Sequence, residues 1–348
     1  MLDDLKKIRE LDNSNMIGRV MSIAAMVQSG YRLGNNIPIE KGGKVRGIHF
    51  LGLGGSAIGG DFAGDWIGHS IPGGVTVERG YTLSRPPATN SLIICCSYSG
   101  NTKETLSMLG EINKKRSRGI LLISSNGKLL EISKEKKIPI LELEPGLPPR
   151  ASLPMIIGAI SAISDRIGWT RSASEELLSA SVSCGKYASS VLAPEIPTEM
   201  NPAKQLAHQM HGFIPVAISP HTMQSIAARF HSQMNENAKQ HCFFSTFPEA
   251  SHNEIVPWLR DRKSSLLLPV ILRDFDEGLQ LRRDLDRFRD TIAGSTRIAE
   301  LRSVGNTRIE YLLNFLSIID LASVYHGILS GLDPTPVTEI ESFKASGK

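Results

Sequence analysis

Three short hydroxyl side chains fall within six positions in the run Ser97-Tyr98-Ser99-Gly100-Asn101-Thr102. Ser97, Ser99 and Thr102 can converge on one anion, together with the open backbone N–H groups of a helix that starts behind them. A phosphate has enough oxygens to accept from all of these donors. Ordinary helix capping by Asn101 or Thr102, with Glu104 or Thr105 in the first turn, accounts for one such residue but not for three. No G-x-x-x-x-G-K-[S/T] loop and no dense aspartate cluster accompanies the run, which points to a small phosphorylated metabolite rather than a nucleotide.

A second polar concentration runs from Arg229 through His231, Gln233, Asn235, Glu236 and Asn237 to Lys239, followed by Pro248-Glu249 and His252-Asn253. Asn235 and Asn237 flank Glu236 on a predicted helix although Asn is a poor helix former. Function is one reason for such a broken local rule, and a solvated helix end is the other. For Arg229 and Lys239 the solvated end is the simpler expectation. His252, just past a proline, reads as a loop residue, either idle, held by its acidic neighbours, or active.

A competing signal is Gly52-Leu53-Gly54-Gly55-Ser56-Ala57, which matches the G-x-G-x-x-A form of the dinucleotide fingerprint, with Glu78 at the end of the next strand where a ribose would be bound. The motif is short, and glycines are needed wherever a strand turns closely into a helix. Nothing else in the chain forms a hydride-transfer constellation.

These loops need strands and helices to position them. Residues 2–34 read as helical. Strands are expected at Ile48–Leu53, Val75–Val77, Leu92–Cys96, Ile120–Ile123 and Ile138–Leu143, with helices between them and another at about 153–167 after the Pro148-Pro149-Arg150 turn. A second series is expected at Ile214–Ile218, Cys242–Phe244, Leu266–Leu272 and near 291–295, with helices at 222–238 and 306–330. Alternating strands and helices predict an α/β fold of two tandem domains, each a mostly parallel sheet flanked by helices. The boundaries expected are 1–170, a helical and Pro-containing bridge at 171–210, and 211–348.

Composition narrows the class. Lys and Arg total 39 against 35 Asp and Glu, a net +4 that is too small and too dispersed for a nucleic-acid interface. The Lys114-Lys115-Arg116 run reads as a solvated helix end. Four cysteines show neither metal-site nor disulfide spacing, and Cys95-Cys96 look like small buried hydrophobes. The start has no signal peptide, and the 311–330 segment reads as shorter and more polar than a bilayer span, so a soluble cytoplasmic protein with no membrane partner is expected.

Taken together, these motifs resemble the bifunctional phosphoglucose/phosphomannose isomerases, built from two sugar-isomerase (SIS) domains. The matching pieces are Gly54-Gly55-Ser56-Ala57, Ser97–Thr102, Pro-Pro-Arg150, Gln233–Lys239, Pro248-Glu249 with His252-Asn253, Asp333-Pro-Thr-Pro336 and Phe343-Lys344. The resemblance implies aldose–ketose isomerisation of glucose 6-phosphate and mannose 6-phosphate to fructose 6-phosphate, with no cofactor and no metal. It assigns phosphate binding to Ser56, Ser97, Ser99 and Thr102, and pocket positions to Gly55 and Thr335. Glu236 matches the family's catalytic glutamate, His252 its ring-opening histidine, Arg150 its arginine and Lys344 its C-terminal lysine. It also implies a homodimer in which His252 reaches the partner's site. The other readings are a non-catalytic sugar-phosphate sensor, a nicotinamide oxidoreductase, an isomerase restricted to one epimer, and a relative acting on amino sugar phosphates.

Overall fold

The short apolar runs form strands and the intervening amphipathic segments form helices in a computed structural model, which describes residues 1–39, 45–112 and 119–346. The 114–116 basic run lies outside the described residues. The chain divides into two units, one of residues 22–184 and the other of residues 1–21 with 185–348. The expected boundaries therefore shift. The first 21 residues belong with the C-terminal half: Leu2, Ile8, Met16 and Ile17 are buried, and Asp3 accepts from Lys204 Nζ at 3.0 Å. The bridge at 171–210 is not a separate body either. Its helix Pro202–Met210 packs on Arg308–Leu329 within the same unit.

In the 22–184 unit, β1 (Gly47–Leu51), β2 (Val75–Glu78), β3 (Ser91–Cys96), β4 (Gly119–Ser124) and β5 (Ile140–Glu142) form a parallel sheet in the order β2-β1-β3-β4-β5. β1 and β3 are buried along their whole lengths, as strands covered on both faces must be. Helices Ile23–Asn35 and Leu153–Ile167 pack against each other, and Leu51, Ile93, Cys95, Met108, Leu122 and Leu129 form a core under the helices that follow β3 and β4. The chain leaves β1 toward β2 and then returns to the other side at β3, so the switch in winding falls between β1 and β3. Ligands of open α/β sheets bind beyond the carboxyl ends of strands at such a point.

In the other unit, β6 (Ile214–Pro220), β7 (Phe243–Phe247), β8 (Leu267–Leu272) and β9 (Ala299–Leu301) are parallel in the order β7-β6-β8-β9. The strand expected near 291–295 lies later, at β9. Thr291 and Ile292 instead complete the helix Leu279–Ile292, whose Leu285, Phe288 and Ile292 fill one face against the core. The final helix of the core, Arg308–Leu329, has 22 residues, so it is long and apolar enough to cross a membrane, contrary to expectation; nearly all of its apolar window is buried inside the fold. Beyond the expected helices, Thr338–Ser346 form a further, exposed helix.

Candidate active site

The hydroxyl run leaves β3 at the switch point of the first sheet. Ser97 is 1% exposed, and its Oγ lies 2.8 Å from Thr102 Oγ1. Thr102 occupies the N-cap position of helix Lys103–Gly110 but makes no capping bond with its side chain. The capping explanation therefore fails for Thr102, whose hydroxyl turns toward Ser97. Ser56, in the turn after β1, accepts from the Tyr98 N–H at 3.3 Å. Ser99 is exposed, and its Oγ accepts from the Asn101 N–H at 3.3 Å. Ser56, Ser97, Ser99 and Thr102 are thus gathered around the carboxyl ends of β1 and β3, beside a helix N-terminus whose dipole favours an anion.

Gly100 makes this loop possible. Its φ is +68°, and an added Cβ would overlap the Asn126 carbonyl oxygen. The turn after β4 is therefore a second wall of the loop: Ser124 Oγ and Ser125 Oγ both donate to the Tyr98 carbonyl, at 3.3 and 2.8 Å, and Asn101 Oδ1 accepts from the Lys128 N–H at 3.0 Å.

Arg150 sits in a single helical turn, Pro149–Ser152, and is 2% exposed. The Gly-rich turn packs directly on it. A Cβ at Gly55 would lie 3.0 Å from Arg150 Cα and 3.2 Å from its backbone nitrogen. A side chain at Gly55 would therefore press on the Arg150 backbone and displace it by a few tenths of an ångström. Glu78, the residue of the dinucleotide alternative, has other partners: Oε1 accepts from Ser84 Oγ at 2.7 Å and Oε2 from the Ser84 N–H at 3.2 Å. Burial pushes the Cys96 thiol, next to Ser56, up to about 12, so it is an inert core group rather than a nucleophile.

Glu236 stands in the last turn of helix Gln224–Asn237, half-buried. The two asparagines beside it have structural work. Asn235 Oδ1 accepts from the Cys242 N–H at 3.2 Å, tying the helix end to the start of β7, and Asn237 Nδ2 donates to Ser323 Oγ at 2.9 Å inside the core. Arg229 is not a solvated group: it is 3% exposed and paired with Asp320 through Nε at 2.9 Å and Nη2 at 2.6 Å. Lys239 Nζ donates to the Asp333 carbonyl at 2.7 Å, and Asp333 Oδ1 accepts from the Thr335 N–H at 2.9 Å. The Thr335 segment is therefore tied to the end of the Glu236 helix.

His252 is exposed in a helical turn, Ala250–Asn253, rather than in a loop. Pro248 starts that turn, its carbonyl accepting from the Ser251 N–H at 2.9 Å and from Ser251 Oγ at 2.7 Å. The turn follows the carboxyl end of β7, whereas the end of the Glu236 helix is tied to the start of β7. Within this unit Glu236 and His252 lie toward opposite ends of a strand about 13 Å long. Lys344 is exposed on helix Thr338–Ser346. The structure thus gathers the hydroxyls with Gly55 and Arg150, ties Thr335 to the Glu236 helix, and sets His252 apart from Glu236.

Residues 199–346 match the family model described as the bacterial phospho-glucose isomerase C-terminal SIS domain, which makes this half a sugar-isomerase domain. A solved structure titled a glucose-6-phosphate isomerase like protein from Thermus thermophilus shares the fold, with TM-score 0.66, 15% identity and coverage of 97% of this chain and 98% of that one. The bifunctional phosphoglucose/phosphomannose isomerase of Caldicellulosiruptor bescii is 30% identical over 343 residues, covering 94% of this chain and 98% of that protein. Its counterpart in Aquifex aeolicus is 33% identical over 306 residues, covering 86% and 89%. The chain belongs to the bifunctional phosphoglucose/phosphomannose isomerase family.

Proposed function

We propose that the protein converts glucose 6-phosphate and mannose 6-phosphate reversibly to fructose 6-phosphate. The observation that carries this reading is the meeting of the Ser97 and Thr102 hydroxyls, 2.8 Å apart, beside Ser56 at the switch point of the first sheet. That arrangement suits a phosphate monoester, and family membership supports the rest of the substrate.

Ser56, Ser97, Ser99 and Thr102 hold the phosphate in this reading. His252 and Lys344 assist proton movement between O5 and O1, which opens the sugar ring. Glu236 removes the proton from C2, leaving an enediolate. Arg150 offsets the negative charge that develops on the enediolate oxygens. Glu236 then delivers the proton to C1 while the O2 proton passes to O1, giving the ketose. One carboxylate serves in both directions, and the guanidinium supplies the positive charge, so the step calls for neither a metal nor a hydride carrier. Gly55 and Thr335 line the remainder of the pocket.

The reading includes a homodimer in which His252 serves the site of the partner. The opposite placement of Glu236 and His252 along β7 supports this division. A cytoplasmic setting is part of the same reading, supported by the four cysteines, none of which is in a disulfide among the described residues.

The test is an isomerase assay with EDTA present, measuring fructose 6-phosphate formed separately from glucose 6-phosphate and mannose 6-phosphate. Product from both is expected. Product from one alone narrows the proposal to a single epimer. Product from neither, with folded protein confirmed, overturns it in favour of a sugar-phosphate sensor.

A further inference from the structure

Tyr98 stands between two of the hydroxyl residues, yet its own side chain turns inward and is 7% exposed. Its phenol oxygen has two backbone partners. It donates to the Glu144 carbonyl at 2.7 Å and accepts from the Leu147 N–H at 2.8 Å. The bonding capacity of one hydroxyl is used to pin a single loop.

That loop leads straight to Arg150. Pro148 and Pro149 fix two backbone angles between Leu147 and Arg150, so little freedom remains between the pinned residue and the arginine. The turn itself is closed by the Ala151 N–H on the Pro148 carbonyl at 2.8 Å and by Ser152 Oγ on the Pro149 carbonyl at 2.7 Å. Gly55 supports the Arg150 backbone from the Gly-rich turn. Meanwhile the backbone of Tyr98 is fixed at both of its own polar groups. Its N–H donates to Ser56 Oγ, and its carbonyl accepts from the Ser125 N–H at 3.0 Å as well as from the hydroxyls of Ser124, which ends β4, and Ser125.

We infer that Tyr98 is a positioning residue for Arg150, coupling the register of the hydroxyl loop to the placement of the arginine to which the proposed reaction assigns charge stabilisation. The inference rests on the role proposed above for Arg150. Ser97 and Ser99 flank the tyrosine in sequence, so the residues that hold the phosphate and the residue that aims the arginine are one rigid piece. The distance from bound phosphate to guanidinium is then set through the Tyr98 hydroxyl and the loop it pins.

The experiment is a double-mutant cycle of Tyr98→Phe and Arg150→Ala, with kcat and KM for glucose 6-phosphate, affinity for fructose 6-phosphate by calorimetry, and Tm for each variant. Phe keeps the buried ring and removes only the hydroxyl. Tyr98→Phe is expected to lower kcat about tenfold while the affinity for fructose 6-phosphate changes by less than about twofold, since a small misplacement acts on the chemical step. In the Arg150→Ala background the same change is expected to have no further effect on kcat. An equal loss in both backgrounds, or a lower Tm with an unchanged kcat, overturns the positioning role while leaving Arg150 in the reaction. An Arg150→Ala variant with the kcat of the parent instead overturns the role of Arg150 itself, and the inference with it.

Discussion

The two sheets share a winding and differ in what their switch points hold. Omitting β5, both read second, first, third, fourth strand across the sheet. In the 22–184 unit the loops after the first and third strands carry Ser56, Ser97, Ser99 and Thr102 to one place. In the other unit the corresponding loops bind each other. The Thr222 hydroxyl donates to the Asp274 carboxylate, and Arg308 donates to Asp274 Oδ1 at 2.8 Å and to the Thr222 carbonyl at 2.7 Å. Hydroxyls that bond one another can turn to a new acceptor, whereas a charge-assisted network of carboxylate and guanidinium is costlier to open. In the proposed reaction the second unit contributes instead through a helix end and a turn after an edge strand, Glu236 and His252. On the proposed function, the same architecture serves once as a phosphate cradle and once as a frame for acid–base groups.

This division of labour can be broken most decisively at Glu236. Glu236→Gln should lower kcat by about a thousandfold or more while leaving the calorimetric affinity for fructose 6-phosphate within about threefold. A parallel loss of affinity would place Glu236 in binding rather than proton transfer. Mixing this variant with His252→Ala, after dissociation and reassociation, sharpens the point. If His252 serves the partner's site, about one quarter of parental activity should return, because half the dimers are mixed and each has one intact site. No recovery would mean that Glu236 and His252 of the same chain work together.

A smaller effect is expected from the core of the second unit. Asp320→Ala leaves Arg229 charged and buried without its carboxylate, which should cost about 3–5 kcal/mol in urea unfolding. The pair underlies the helix that carries Glu236, so kcat should also fall when measured on the folded fraction. A change below about 1 kcal/mol would show that water or another group solvates the guanidinium.

The smallest effect belongs to the cradle. Ser99→Ala should weaken binding of fructose 6-phosphate about five- to tenfold, equivalent to about 1 kcal/mol for one hydrogen bond from an exposed hydroxyl, with kcat nearly unchanged. The same variant should leave the affinity for unphosphorylated fructose as it was. A kcat-selective loss would move Ser99 out of the cradle and into the chemistry.

Much of the first unit is local in sequence. The apolar strands β1, β3 and β4 are continuous runs, and each is followed at once by its turn residues, so the hydroxyl loop could be placed on a strand-to-helix junction. Its walls could not. The contacts of Tyr98 with Glu144 and Leu147, and of Gly100 with Asn126, span residues far apart in the chain and obey no period. The second unit was harder to read. The bland reading of Arg229 as a surface group failed because its partner, Asp320, lies on a different helix. The asparagines beside Glu236 looked anomalous on helix propensity until their partners, Cys242 and Ser323, were in view. The first 21 residues joined the wrong domain because amphipathic helices declare a buried face but not the surface that buries it.

By itself the sequence determined the elements, the alternating α/β order and the residue types able to bind a phosphate or move a proton, since periodicity, turn chemistry and side-chain functionality are local properties. Only the tertiary structure decided which switch point is open and which is tied shut, which charged groups are buried in pairs, and that Glu236 and His252 stand toward opposite ends of β7. Those outcomes depend on strand order and on long-range packing, where a residue's role is set by whichever distant group satisfies it.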